Sequence, residues 1–93
     1  MQARRALVLV DGEHYPETTR WALEEARHRG IDPVAALLVG GTEKLGADRR
    51  LDLGAVPVER AEGEVLGSVR AAVARHAPDV VLDLSDEPVL GYG

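Results

Sequence analysis

Three short stretches gather the side chains that could do chemistry. They are Asp11-Gly12-Glu13-His14, Gly40-Gly41-Thr42-Glu43-Lys44 and Asp83-Leu84-Ser85-Asp86-Glu87. The carboxylates are Asp11, Glu13, Asp83, Asp86 and Glu87, with His14, Lys44 and Arg20 as nearby bases. Carboxylates brought together repel one another unless one is protonated or a cation lies among them. All-oxygen ligation suits Mg²⁺, which is held by one or two carboxylates and completed by phosphate and water. Asp11 and Asp83 are the candidate metal ligands. The plainer alternative is that acids at strand ends cap turns and helices with no metal at all.

Gly40-Gly41-Thr42-Glu43-Lys44 offers free backbone N–H groups at a helix start, plus a lysine, which can cradle an anion. A tight turn with Thr42 as helix cap accounts for it equally well. The G-x-x-x-x-G-K-[ST] spacing of a P-loop is missing, and no G-x-G-x-x-G is present. His14 could shuttle a proton or bind a ligand, although a lone loop histidine is more often only a hydrogen-bonding residue. His28 and His76 fall near helix C-termini, where an imidazolium is mildly favoured. No nucleophile elbow precedes an acid and a histidine. A phospho-acceptor site of receiver type needs an Asp after the third strand, and Glu59-Arg60 stands there instead.

These stretches need elements to hold them. Ala6 to Val10 is a continuous apolar run, the pattern of a strand buried on both faces. Pro16 suits the first position of a helix running to about Arg29, with Gly30 as its cap. Thr19, Ala22, Leu23 and Ala26 form the apolar stripe of that helix. Trp21 lies about 150° from the stripe's centre, which suggests an interface with a partner domain or a second copy; a stray partly exposed tryptophan, or a helix rotated from this assignment, is the plainer alternative. Ile31-Asp32-Pro33 predicts a turn and Val34 to Val39 a second buried strand. Residues 47–55 are irregular, with Leu51 and Leu53 as anchors. Val56-Pro57-Val58 predicts a third strand, placed at a sheet edge by its proline. Glu62 to Ala77 predicts a helix with Val65, Leu66, Val69, Ala72, Val73 and Ala77 facing the core, stopped by Pro78. Residues 79–84 predict a fourth strand.

The order β-α-β-(α)-β-α-β with right-handed crossovers predicts an α/β fold of three layers. The sheet is four-stranded and parallel, in the order 3-2-1-4, half of a Rossmann-like nucleotide-binding fold. Strand order then reverses between strands 1 and 4, and ligands favour that crevice. It would bring Asp11 to His14 opposite Asp83 to Glu87.

The composition narrows the partners. The chain of 93 residues is one domain's worth. Its net charge of −5 and near-absence of aromatics argue against nucleic acid and anionic membranes. No apolar run approaches the ~20 residues of a membrane span, and the apolar segment after Arg4-Arg5 is too short for a secretory signal. Those two arginines are expected to be simply solvated. The lack of cysteine excludes disulfides and thiolate sites and agrees with a cytoplasmic home.

Three longer blocks contain the candidate residues: Leu-Val-Asp-Gly-Glu-His-Tyr-Pro (residues 9–16), Val-Gly-Gly-Thr-Glu-Lys-Leu (39–45) and Asp-Leu-Ser-Asp-Glu-Pro-Val-Leu-Gly-Tyr (83–92). Together they resemble the N-terminal region of cyclic 2,3-diphosphoglycerate synthetases, over nearly the whole chain. The resemblance implies an ATP- and Mg²⁺-dependent ligase that closes 2,3-diphosphoglycerate into its cyclic anhydride. It also implies a P-loop catalytic domain downstream, so that residues 1–93 would be an N-terminal domain, inactive alone. Asp11, Gly12, Glu13, His14, Gly41, Thr42, Lys44, Ser85, Asp86 and Glu87 are the substrate- or phosphate-binding candidates it carries over. The alternative is a docking or dimerisation module in which the blocks are structural and Trp21 marks the contact.

Overall fold

The computed structural model describes residues 4–11, 16–39 and 53–85. They form β1 (Arg4–Val10), α1 (Pro16–His28), β2 (Ile31–Leu38), β3 (Val58–Arg60), α2 (Val65–His76) and β4 (Val80–Asp83). All strand pairs are parallel, in the order β3-β2-β1-β4 expected from the sequence.

The central strands explain the three layers. Ala6, Val8 and Val10 of β1 cluster with Leu23 of α1 on one face, while Leu7 and Leu9 cluster with Val69 and Ala72 of α2 on the other. Successive side chains of a strand point to opposite faces, so an unbroken apolar run is what a strand between two helix layers requires. All five residues from Ala6 to Val10 are fully buried. Leu53 and Val56 close the α1 side of the core.

The starts of β2, β3 and α2 and the end of α2 differ from expectation. Ile31-Asp32-Pro33 is not a turn but the start of β2, with Pro33 paired to Ala6. The register then slips, Ala6 facing Pro33 while Leu7 faces Ala35, which leaves Val34 as a bulge residue. The bulge carries the strand past a residue with no N–H to give. It also puts Ile31 on the same face as Ala36 and Leu38. β3 begins at Val58, because Leu53 to Val56 is a turn with Gly54 at φ +68°. Pro57 still joins the sheet edge by accepting the Ala36 N–H at 2.9 Å.

α2 starts at Val65 rather than Glu62. Gly63 sits at φ +65°, and the Ser68 hydroxyl accepts the Glu62 N–H at 3.0 Å and donates to the Glu62 carbonyl at 2.9 Å. The approach is therefore a folded-back turn. At the other end Ala77 adopts the left-handed conformation and donates its N–H to Val73 O at 2.9 Å, with Pro78 next in the chain. The stripe of α2 is also narrower than its apolar residues suggest. Val69 and Ala72 are buried, whereas Leu66 and Val73 are 43% and 36% exposed. α2 lies chiefly over β1 and β2, and the flanks of its stripe reach beyond them. In α1, Thr19, Leu23 and Ala26 are buried as expected and Trp21 is 66% exposed. No helix among the described residues is long and apolar enough to cross a membrane.

Arg5 is exposed but not simply solvated. Its guanidinium donates to the carbonyls of His76 (2.9 Å) and Ala77 (3.1 Å), and its N–H donates to Asp79 Oδ2 at 2.9 Å. Carbonyls at a helix end have no intrahelical partner, and a cation there also meets the negative end of the helix dipole. Arg5→Ala is expected to cost about 1 kcal/mol. Thermal unfolding should then shift down by about 4–8 °C.

Candidate functional site

The candidate site lies where β1 and β4 end side by side. Val39 donates its N–H to Val10 O and Leu84 donates to Leu9 O, both at 2.8 Å. The end of β1 is thus pinned from both neighbouring strands just before Asp11. Asp11 is only 4% exposed, and Asp11 and Thr19 are the buried polar side chains among the described residues. A carboxylate is rarely buried without partners. Asp11 is engaged in an interaction of its own, and no buried side-chain polar atom among the described residues lacks one.

Asp83, the last residue of β4, pairs with Leu9 and shares its face of the sheet. Its Oδ1 accepts the Ser85 N–H at 3.1 Å and also the Ser85 hydroxyl. That is the turn-capping role of a strand-end acid. It fixes the Asp83 carboxylate at the end of β4, beside the end of β1. Among the described residues no group of three or more His, Asp or Glu could hold a metal. Two neighbouring strand-end carboxylates still have the oxygen chemistry that Mg²⁺ takes when phosphate and water fill its other positions.

Asp11, Asp83 and Ser85 are therefore gathered at one sheet edge, as expected from the strand order. Gly12, Glu13, His14, Gly41, Thr42, Lys44, Asp86 and Glu87 lie outside the described residues. Arg20 is on α1, 3.6 Å from the Glu17 carboxylate.

One ionic cluster was not legible in the sequence. Glu59 on β3 pairs with Arg75 and, at 2.6 Å, with His76 Nε2, both at the end of α2. His76 stands seven residues after Val69, two helical turns along the sheet-facing stripe, and that spacing was the available signal. Partial burial raises the Glu59 pKa, but hydrogen bonds from His76 and Arg75 and their charges outweigh this and leave it lowered from its ordinary 4.5. A depressed carboxylate pKa gives stability that is present above the unfolded-state value and lost as pH falls through the folded one. Glu59→Gln is expected to cost about 1 kcal/mol at neutral pH. Urea unfolding of both proteins should show the difference shrinking once pH drops below 4.5.

A comparison with known families decides what kind of domain carries this crevice. The family model described as "Cyclic 2,3-diphosphoglycerate synthetase, N-terminal domain" matches residues 5–93. The chain belongs to this family. It is 46% identical over 89 residues to the cyclic 2,3-diphosphoglycerate synthetase of Rubrobacter xylanophilus, a match covering 95% of this chain and 19% of that protein. The synthetase of Thermococcus kodakarensis is 42% identical over 87 residues, covering 92% and 19%. That of Pyrococcus furiosus is 39% identical over 84 residues, covering 90% and 18%. The cyclic 2,3-diphosphoglycerate synthetase N-terminal domain thus spans about a fifth of the length of the curated relatives it matches.

Proposed function

We propose that this domain lends the ends of β1 and β4 to the active site of an ATP-dependent cyclic 2,3-diphosphoglycerate synthetase. The observation that carries this is the buried carboxylate of Asp11, held at the strand-order reversal beside Asp83 and Ser85. Joining two phosphate monoesters of one molecule into a cyclic anhydride removes the elements of water. The coupled cleavage of ATP takes them up. The substrate carries several negative charges, and the crevice is itself acidic. Asp11 and Asp83 would hold Mg²⁺, which would supply the positive charge that reconciles the two. Glu13, His14, Gly41, Thr42, Lys44, Asp86 and Glu87 are the further phosphate-side candidates. The ATP-binding P-loop domain is supplied by the rest of the polypeptide, and this domain does not catalyse alone. An ATP-consuming reaction agrees with a cytoplasmic home. The test is Asp11→Asn in the full-length enzyme: loss of cyclisation supports the assignment, and normal turnover overturns it.

A second role is favoured by Trp21, which is 66% exposed on the outer side of α1. An aromatic of that size left in water suits a contact with another domain or a second copy. Trp21→Ala should weaken association measured by sedimentation at several concentrations. Unchanged association removes this role and leaves the first intact.

A further inference from the structure

The two edges of the sheet are built differently. β3 is three residues long, follows Pro57 and carries Glu59 and Arg60. Shortness, proline and charge are how a sheet edge is closed to further pairing. β4 is Val-Val-Leu-Asp, one residue longer, with three apolar residues in a row, its single charge at the last position, no proline or bulge, and all four residues half-buried. Strands of an all-parallel sheet are normally covered on both faces. Val80 and Leu82 pack on the α1 side and Val81 on the α2 side, yet all three remain partly open. The cause is that both helices lie chiefly over the central strands, Leu23 of α1 among β1 and β2 residues and Val69 and Ala72 of α2 likewise. Among the described residues no strand lies beyond β4.

The main chain points the same way. Leu84 directs its N–H to Leu9 O on β1. Backbone groups alternate in direction along a strand, so Leu82 also faces β1 and Val81 turns its N–H and C=O outward. On β3, Ala61 donates to Leu38 O, so Glu59 faces β2 and the Val58 N–H turns outward.

We propose that β4 is an internal strand: the polypeptide following this domain in the full-length synthetase lays a fifth strand along β4 and covers its bare faces. This rests on the proposed function, in which the domain is one part of a longer enzyme. The occupant follows from length and topology. The matched synthetases hold four-fifths of their chain outside the matched segment, and the match is to an N-terminal domain. Helix-linked crossovers deliver both a neighbouring strand and a covering helix. A second copy pairing edge to edge would bring only another β4 with equally bare faces.

Hydrogen exchange of the full-length enzyme, resolved to single amides at two protein concentrations tenfold apart, tests this. The Val81 amide is expected to exchange at least about 100-fold more slowly than the Val58 amide at both concentrations. Exchange at Val81 as fast as at Val58 overturns the proposal, because β4 is then a true edge. Protection that disappears on dilution also overturns it, in favour of a second copy. Synthetase activity assayed on the same sample separates the two claims. An active enzyme with a fast Val81 removes only the fifth strand. An inactive one with a slow Val81 removes only the proposed function.

Discussion

Asp11→Asn in the full-length enzyme is expected to lower the rate of anhydride formation at least about 100-fold, the scale of losing one preorganised electrostatic group from a reaction site. The substitution keeps size and shape and deletes the charge. Asp11 is 4% exposed at the end of a strand pinned on both sides, so the backbone that presents it should hold its position. If the carboxylate holds Mg²⁺, the residual activity should also need a higher Mg²⁺ concentration to saturate. A merely structural Asp11 would lower thermal stability without moving the Mg²⁺ dependence. Phosphorus NMR of the cyclic product at several Mg²⁺ concentrations reads both quantities, and thermal unfolding provides the control.

Leu9→Ala should have the largest effect on stability. Leu9 is fully buried among Leu7, Leu37, Val69 and Ala72, between the sheet and α2. Truncating such a leucine removes buried apolar surface and leaves a cavity that neighbours fill only in part, at a cost of about 2–5 kcal/mol. A domain of this size has roughly 5–10 kcal/mol of stability in all. Leu9 also pairs with Asp83 and accepts the Leu84 N–H, so slack at this position loosens the β1–β4 crevice as well as the core. Urea unfolding should show a midpoint lowered by at least about a fifth and, at mid-range values, by about half. A shift no larger than that of Arg5→Ala would mean that the α2 side of the core is not the principal source of stability.

Much of the fold was legible because its strongest signals are local. Ala6 to Val10 is apolar without interruption, the pattern of a strand between two layers, and Pro57 marked the short strand for an edge. Right-handed crossovers then left few ways to order four strands. The misjudged features depend on distant partners. Pro33 looked like a turn residue until its pairing with Ala6 and the bulge at Val34 absorbed it. Leu66 and Val73 looked like core because composition does not say how far the sheet extends beneath α2. Arg5 and Glu59 gained their roles from residues more than fifteen positions away, at the end of α2. In the candidate site, Asp11 and Asp83 were legible from their places at strand ends. That Asp83 also caps its own turn through Ser85 is a matter of side-chain geometry that residue types do not reveal.

Whether the β1–β4 crevice faces the substrate is best asked by hydrogen exchange of the full-length enzyme. The exchange would be followed with and without 2,3-diphosphoglycerate, Mg²⁺ and a non-hydrolysable ATP analogue. Slowed exchange is predicted in the segments around Asp11 and around Asp83–Ser85, and it should require Mg²⁺. Ligand protection confined to other parts of the enzyme, with these two segments unchanged, would contradict a substrate-facing role for this domain.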